Sequence, residues 1–177
     1  MGYLFGGLII KNGAALQDMK ILGILGAENY RETGGTDMME ATSRDFMGIA
    51  ITRLEDMAIV IGRKIPFTCA MHNDELSAID KHLATLSKDG DILCFFIDST
   101  SETYSFLIYQ KGERTRVRTD SENKTLYTVG KETKYDRKIE VTDDGLLELI
   151  EKFTGHAFTE IEYDLGLKAR VFKKPDL

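Results

Sequence analysis

The segment from Thr103 to Thr119 (Thr-Tyr-Ser-Phe-Leu-Ile-Tyr-Gln-Lys-Gly-Glu-Arg-Thr-Arg-Val-Arg-Thr) constrains the fold more than any other. Aromatic and branched residues dominate before Lys111-Gly112 and alternate with arginines after it, the pattern of two strands joined by a tight turn. In a strand, alternate side chains point the same way. Arg114, Arg116 and Arg118 are therefore expected to form one cationic stripe. If Lys111-Gly112 is a two-residue turn, Tyr109 faces Arg114, Leu107 faces Arg116 and Ser105 faces Arg118. Phe106 and Ile108 then belong to the opposite, core-facing side.

Guanidinium groups about 6.6 Å apart along one face repel one another unless anions intervene. Each is a permanently charged fork suited to carboxylate or phosphate, and each can stack on an aromatic ring. The candidate site is thus Arg114, Arg116 and Arg118 with Tyr109. Its anions have an internal source in Glu113, Glu132 and the acidic run 140–164. They also have two external ones, an acidic protein partner or a small anionic ligand. Charge distribution makes the internal source concrete. Residues 111–138 hold nine basic and five acidic side chains, whereas residues 140–164 hold eight acidic and one basic.

Elsewhere the chain reads as strands in hairpin neighbours with helices between groups of them. Tyr3–Ile10 suits a strand, and Asn12 can cap a helix burying Leu16, Met19 and Leu22. Residues 26–36 read as loop and 37–43 as a short helical turn. Phe46–Thr52 and Met57–Ile61 form a hairpin. Asn73 opens a helix with Leu76, Ile79, Leu83 and Leu86 on one face. Ile92–Ile97 is almost wholly apolar, which suits a central strand covered on both faces. Leu126–Val129 is a further strand. Thr142 or Asp143 caps a helix burying Leu146, Leu149, Ile150 and Phe153, with Gly155 past its end. Phe158–Tyr163 and Lys168–Phe172 close the sheet. This order predicts a single α+β domain spanning residues 1–177: a largely antiparallel or mixed β-sheet of about six to eight strands, with two or three helices packed on one side.

Met1-Gly2-Tyr3-Leu4-Phe5, the Tyr104–Arg116 hairpin and Gly166-Leu-Lys-Ala-Arg-Val-Phe-Lys-Lys174 together resemble a family of small uncharacterised bacterial proteins. The likeness covers most of the chain. After residue 120 this chain is more charged than the family pattern, and it has no tryptophan. The resemblance implies a bacterial, cytoplasmic domain and carries over no catalytic residue.

Several chemistries are disfavoured. A net charge of −6 argues against a general nucleic-acid binder. The apolar start is too short to span a bilayer and lacks the basic leader of a signal peptide, so a cytoplasmic location is expected. Cys69 and Cys94 sit in apolar runs, as buried thiols do in a reducing compartment. Val129-Gly-Lys-Glu-Thr133 fails the phosphate-loop pattern, which needs Gly where Thr125 stands and Ser or Thr where Glu132 stands. His72, Asp74, Glu75, Asp80 and His82 crowd one helix start. Glu75 and His82 lie two turns apart, about 10 Å of axial rise, too far for one metal. His156 follows Gly155 as a cation at a helix end. No catalytic residue, cofactor or metal is expected. The reading is a non-enzymatic binding or interaction protein. The alternative is an enzyme or binder of a small anionic ligand at the arginines. A homodimer through Lys168–Phe172 becomes plausible if that strand lies at a sheet edge.

Overall fold

The structure, a computed structural model, describes residues 2–65 and 76–175. Among these residues nine strands form one sheet: β1 (Leu4–Ile10), β2 (Arg31–Asp37), β3 (Ile49–Leu54), β4 (Met57–Ile61), β5 (Ile92–Asp98), β6 (Thr103–Gln110), β7 (Glu113–Ser121), β8 (Lys124–Val129) and β9 (Lys168–Lys173). Their spatial order is β2-β9-β3-β4-β1-β5-β6-β7-β8, and every neighbouring pair is antiparallel. The helices are α1 (Asp18–Ile24), α2 (Met38–Ala41), α3 (Ala78–Leu86) and α4 (Asp143–Thr154), with a π-helical turn at Glu160–Asp164. The antiparallel sheet with helices is as expected, but its nine strands exceed six to eight, and its four α-helices and π-helical turn exceed two or three.

Side-chain alternation sends residues of each central strand to two separate cores. Phe5 and Ile9 of β1, with Phe95, Phe106 and Ile108, meet α2, α4 and Ile161 on one face. Leu8 and Ile10, with Cys94, Leu107, Tyr109 and Val117, meet Ile21 and Leu22 of α1 and Leu83 of α3 on the other. Helices therefore cover both faces, not one. β5 explains why: it is buried along six of its seven residues, so each face needs its own apolar cover.

The helix ends follow local chemistry. Thr142 caps α4 by accepting from the Gly145 amide, and Gly155 closes it in the left-handed region at φ 82°. Ser77 and Asp80 form a reciprocal capping box at the start of α3. Asn73, the expected start, lies outside the described residues, as do His72, Asp74, Glu75 and Cys69. Cys94 is fully buried in β5.

Further expectations need correction. The first helix begins at Asp18 after Gln17, not at Asn12, and Met19 points to solvent. Residues 31–36, expected as loop, and Asp37, expected in a helical turn, form edge strand β2; they are polar and largely exposed, so no apolar periodicity marks them. Ladder bonds to β9 hold them, with a bulge between Glu32 and Gly34. Residues 158–163, expected as a strand, are helical. Phe158 and Ile161, three apart, are both buried, and the Leu165 amide closes a wide turn on the Glu160 carbonyl at 2.9 Å. Finally, β9 is not an edge, because β2 and β3 pair with its two sides. The edges are β2 and β8, so Lys168–Phe172 offers no free ladder for a second copy. Among the described residues no helix is long and apolar enough to cross a membrane.

Candidate functional site

The β6–β7 hairpin forms as expected around Lys111-Gly112, with Tyr109 opposite Arg114. Its register then changes. Ile108 pairs with Arg116, Leu107 with Val117, Phe106 with Arg118 and Ser105 with Thr119, so Thr115 is an extra residue in β7. One extra residue inverts the facing of everything beyond it. The three arginines therefore do not form one stripe. Arg114 stays on the α3 face with Tyr109, while Arg116 and Arg118 lie on the α4 face beside Ile108 and Phe106.

Each guanidinium meets an internal carboxylate. Arg114 Nη1 lies 3.3 Å from Asp80 Oδ1, with both side chains buried. The Tyr109 hydroxyl donates to the same oxygen at 2.6 Å. Asp80 Oδ2 accepts from the amide and hydroxyl of Ser77. Asp80 is thus a helix-capping acid turned inward, joining α3 to the hairpin. Arg116 Nε donates to Asp136 Oδ2 at 2.8 Å. Its Nη1 donates to Thr128 Oγ1 at 2.7 Å and to the carbonyl of Gly130 at 3.0 Å. Arg118 grips Asp120, two residues along its own strand, through two bonds of 3.0 and 2.8 Å. The Asp120 bond, opposed by burial, raises the Arg118 pKa above its ordinary value. The acids are Asp80, Asp136 and Asp120, and none of these ion pairs uses the run 140–164.

Gly130 makes this arrangement possible. It sits at φ 81°, and a Cβ there would stand 1.9 Å from the carbonyl oxygen of the bulged Thr115. Only glycine lets the chain leaving β8 close over the bulge and offer its own carbonyl to Arg116.

The other expected groups are structural or separated. His82 is exposed and Asp80 buried, and no group of three or more metal-binding side chains occurs among the described residues. His156 Nε2 lies 2.9 Å from Glu55 Oε1, tying α4's end to the β3–β4 turn.

A different cluster of cations lies open, on the α1 face at the β2 end of the sheet. A cleft of about 770 Å³ is walled by Leu25–Ala27, Tyr30, Phe46–Ile49, Gly62–Ile65 and Lys173–Lys174. Leu25, Ala27, Ile49 and Ile65 are buried and make its wall apolar. Arg63, Lys64, Lys173 and Lys174 are exposed. No carboxylate is among the described residues lining the cleft, and none of the ion pairs among the described residues uses these four. Lys173 also stands opposite Arg31 in the β2–β9 ladder, a like-charge pairing that is unfavourable on its own. Gly48, at φ 134°, allows the close approach that brings the end of β9 here. A Cβ on it would lie 2.8 Å from the Phe172 carbonyl oxygen.

A neighbouring cleft of about 520 Å³ shares Tyr30 and also carries arginines, but these are engaged. Arg53 pairs with Asp18 at 2.7 Å, and Arg170 with Asp18 at 2.7 Å and Glu32 at 2.5 Å. The Glu32 bond and then the Asp18 charge hold Arg170 well above the ordinary guanidinium range.

Sequence reasoning missed the open cluster. Its signal was two adjacent cation pairs, Arg63-Lys64 just past the apolar β4 and Lys173-Lys174 at the end of β9. Against known proteins, the chain matches no family model, no curated protein sequence and no solved structure.

Proposed function

We propose that this is a non-enzymatic binding protein that takes a small anionic molecule in the Leu25–Ala27/Phe46–Ile49/Gly62–Ile65/Lys173–Lys174 cleft. One observation carries the reading: in a chain of net charge −6, the described lining of this cleft includes four cations and no acid. Cations gathered without counter-charges repel one another, and an anion that enters relieves the repulsion. The volume falls in the ordinary range of ligand sites. Arg114, Arg116 and Arg118 serve this role less well, because each already holds a carboxylate.

The test is a fluorescence titration with the anionic, apolar-bodied dye 8-anilinonaphthalene-1-sulfonate. The folded protein should bind it saturably, one per chain, more weakly as salt rises. The double variant Lys173→Glu/Lys174→Glu should lose at least about tenfold in affinity, equivalent to about 1.4 kcal/mol. Arg118→Ala should leave the dye affinity unchanged. Absent binding, or equal affinity in the charge-reversed protein, refutes the proposal.

A further inference from the structure

We infer that the occupant of this cleft is a free, single-chain acyl or alkyl anion, an aliphatic chain ended by a carboxylate or a phosphate. The inference rests on the cleft being a binding site and adds the chemical class of its ligand.

The lining decides the class by what it can and cannot recognise. Its side chains are aliphatic (Leu25, Ala27, Ile49, Ile65), aromatic or thioether (Tyr30, Phe46, Met47) and cationic. Among the described lining residues none is Asn, Gln, Ser, Thr, Asp or Glu, and the Tyr30 hydroxyl is the one neutral side-chain group that forms strong hydrogen bonds. A nucleoside, sugar or amino acid presents hydroxyls and amides that need such partners, and burying them unmet is costly. Backbone groups do not make up the deficit, since many are committed internally. The amides of Leu25, Gly26 and Ala27 donate to the carbonyls of Ile21, Gly23 and Leu22, and that of Tyr30 donates to Ala27. The Gly62 amide donates to Gly6, and its carbonyl accepts from Ile65.

An aliphatic chain asks for no hydrogen bonds and gains from leaving water along an apolar wall. Its charged end finds the four rim cations, three of them lysines, which bind an anion as point charges without bidentate geometry. Carboxylate and phosphate heads are equally served. Concavity favours a free monomer over a bilayer: Leu25, Ala27, Ile49 and Ile65 are buried in the walls and do not project as a membrane-inserting surface would.

Competition against the bound dye tests this with the intact chain, below the micelle concentration of each probe. Decanoate and decyl phosphate should displace the dye. Affinity should rise from hexanoate to decanoate by at least about tenfold, given up to about fourfold per fully enclosed methylene. Decan-1-ol should compete at least about tenfold more weakly, and adenosine monophosphate and inorganic phosphate not at all. A flat chain-length series overturns the inference, and so does adenosine monophosphate competing as well as decanoate. Sedimentation with phosphatidylglycerol vesicles at physiological salt should leave the protein in the supernatant. Co-sedimentation overturns the free-monomer assignment in favour of a membrane surface. If the dye itself fails to bind, the failure belongs to the cleft as a binding site; if the dye binds and the acyl anions do not displace it, only the ligand class is wrong.

Discussion

Replacing Arg116 by alanine should be among the most damaging single changes in the hairpin. The side chain is 7% exposed and that of its partner Asp136 is 2% exposed. Truncation removes a 2.8 Å charge-assisted bond to Asp136, a 2.7 Å bond to Thr128 and a 3.0 Å bond to the Gly130 carbonyl. Asp136 keeps its two bonds from the Thr133 amide and hydroxyl but loses its countercharge while buried. Breaking one side of a buried pair costs roughly 3–5 kcal/mol, a large share of a typical total of roughly 5–15. For a chain of this size that corresponds to a drop in Tm of roughly 6–20 °C. Differential scanning calorimetry, with urea denaturation as a second probe, reads it directly. Arg118→Ala supplies the comparison: its side chain is 27% exposed and that of Asp120 11%, so this pair is better solvated and its loss should cost less. Adding Asp136→Ala to Arg116→Ala should cost less than the sum of the two single losses, because the second change removes the stranded charge. The reasoning fails if Arg116→Ala destabilises no more than Arg118→Ala, or if the double cycle is additive.

Gly130→Ala should destabilise by roughly 2 kcal/mol or more by combining positive φ with overpacking against Thr115; a change below about 0.5 kcal/mol in urea melts contradicts the fitted bulge. Tyr109→Phe should cost about 1–3 kcal/mol, since it leaves buried Asp80 without its 2.6 Å donor; an unchanged urea midpoint refutes that role. Tyr104 is pushed up to about 12 by burial and then by the Asp143 carboxylate. A raised folded-state value means that its contribution to stability is intact below pH 10 and is lost between about pH 10 and 12. Ultraviolet titration of wild type against Tyr104→Phe should show one phenolate fewer in that upper window, and a lost step near pH 10 instead would contradict the assignment.

How much was legible depended on whether apolar periodicity or a backbone irregularity decided the outcome. Ile92–Ile97 declared a doubly covered strand because no position in it tolerates water, and α4 was marked at both ends by Thr142 and Gly155. β2 was invisible for the opposite reason: Arg-Glu-Thr-Gly-Gly-Thr-Asp is almost wholly exposed, so pairing with β9 alone makes it a strand. The expected arginine stripe failed through one residue. Alternation across Arg114, Arg116 and Arg118 is a correct rule for a regular strand, and the extra Thr115 breaks it between the first and second. Nothing in Glu-Arg-Thr-Arg-Val announces a bulge, because the space that accommodates it lies at Gly130, fifteen residues away, where the absent Cβ makes room for the Thr115 carbonyl. The bulge also reassigned the charges. Once Arg116 and Arg118 turn to the α4 face, Asp136 and Asp120 lie within reach, and Arg114 is left to Asp80. With the conspicuous arginines so neutralised, the cations gathered in the cleft are those the strand pattern did not highlight, at the ends of β4 and β9. The ion pairs of the hairpin and the cations of the cleft share no residue. A substitution at one should therefore leave the other unmoved: Arg116→Ala should lower Tm without changing dye affinity in protein still folded, and Lys173→Glu/Lys174→Glu should do the reverse.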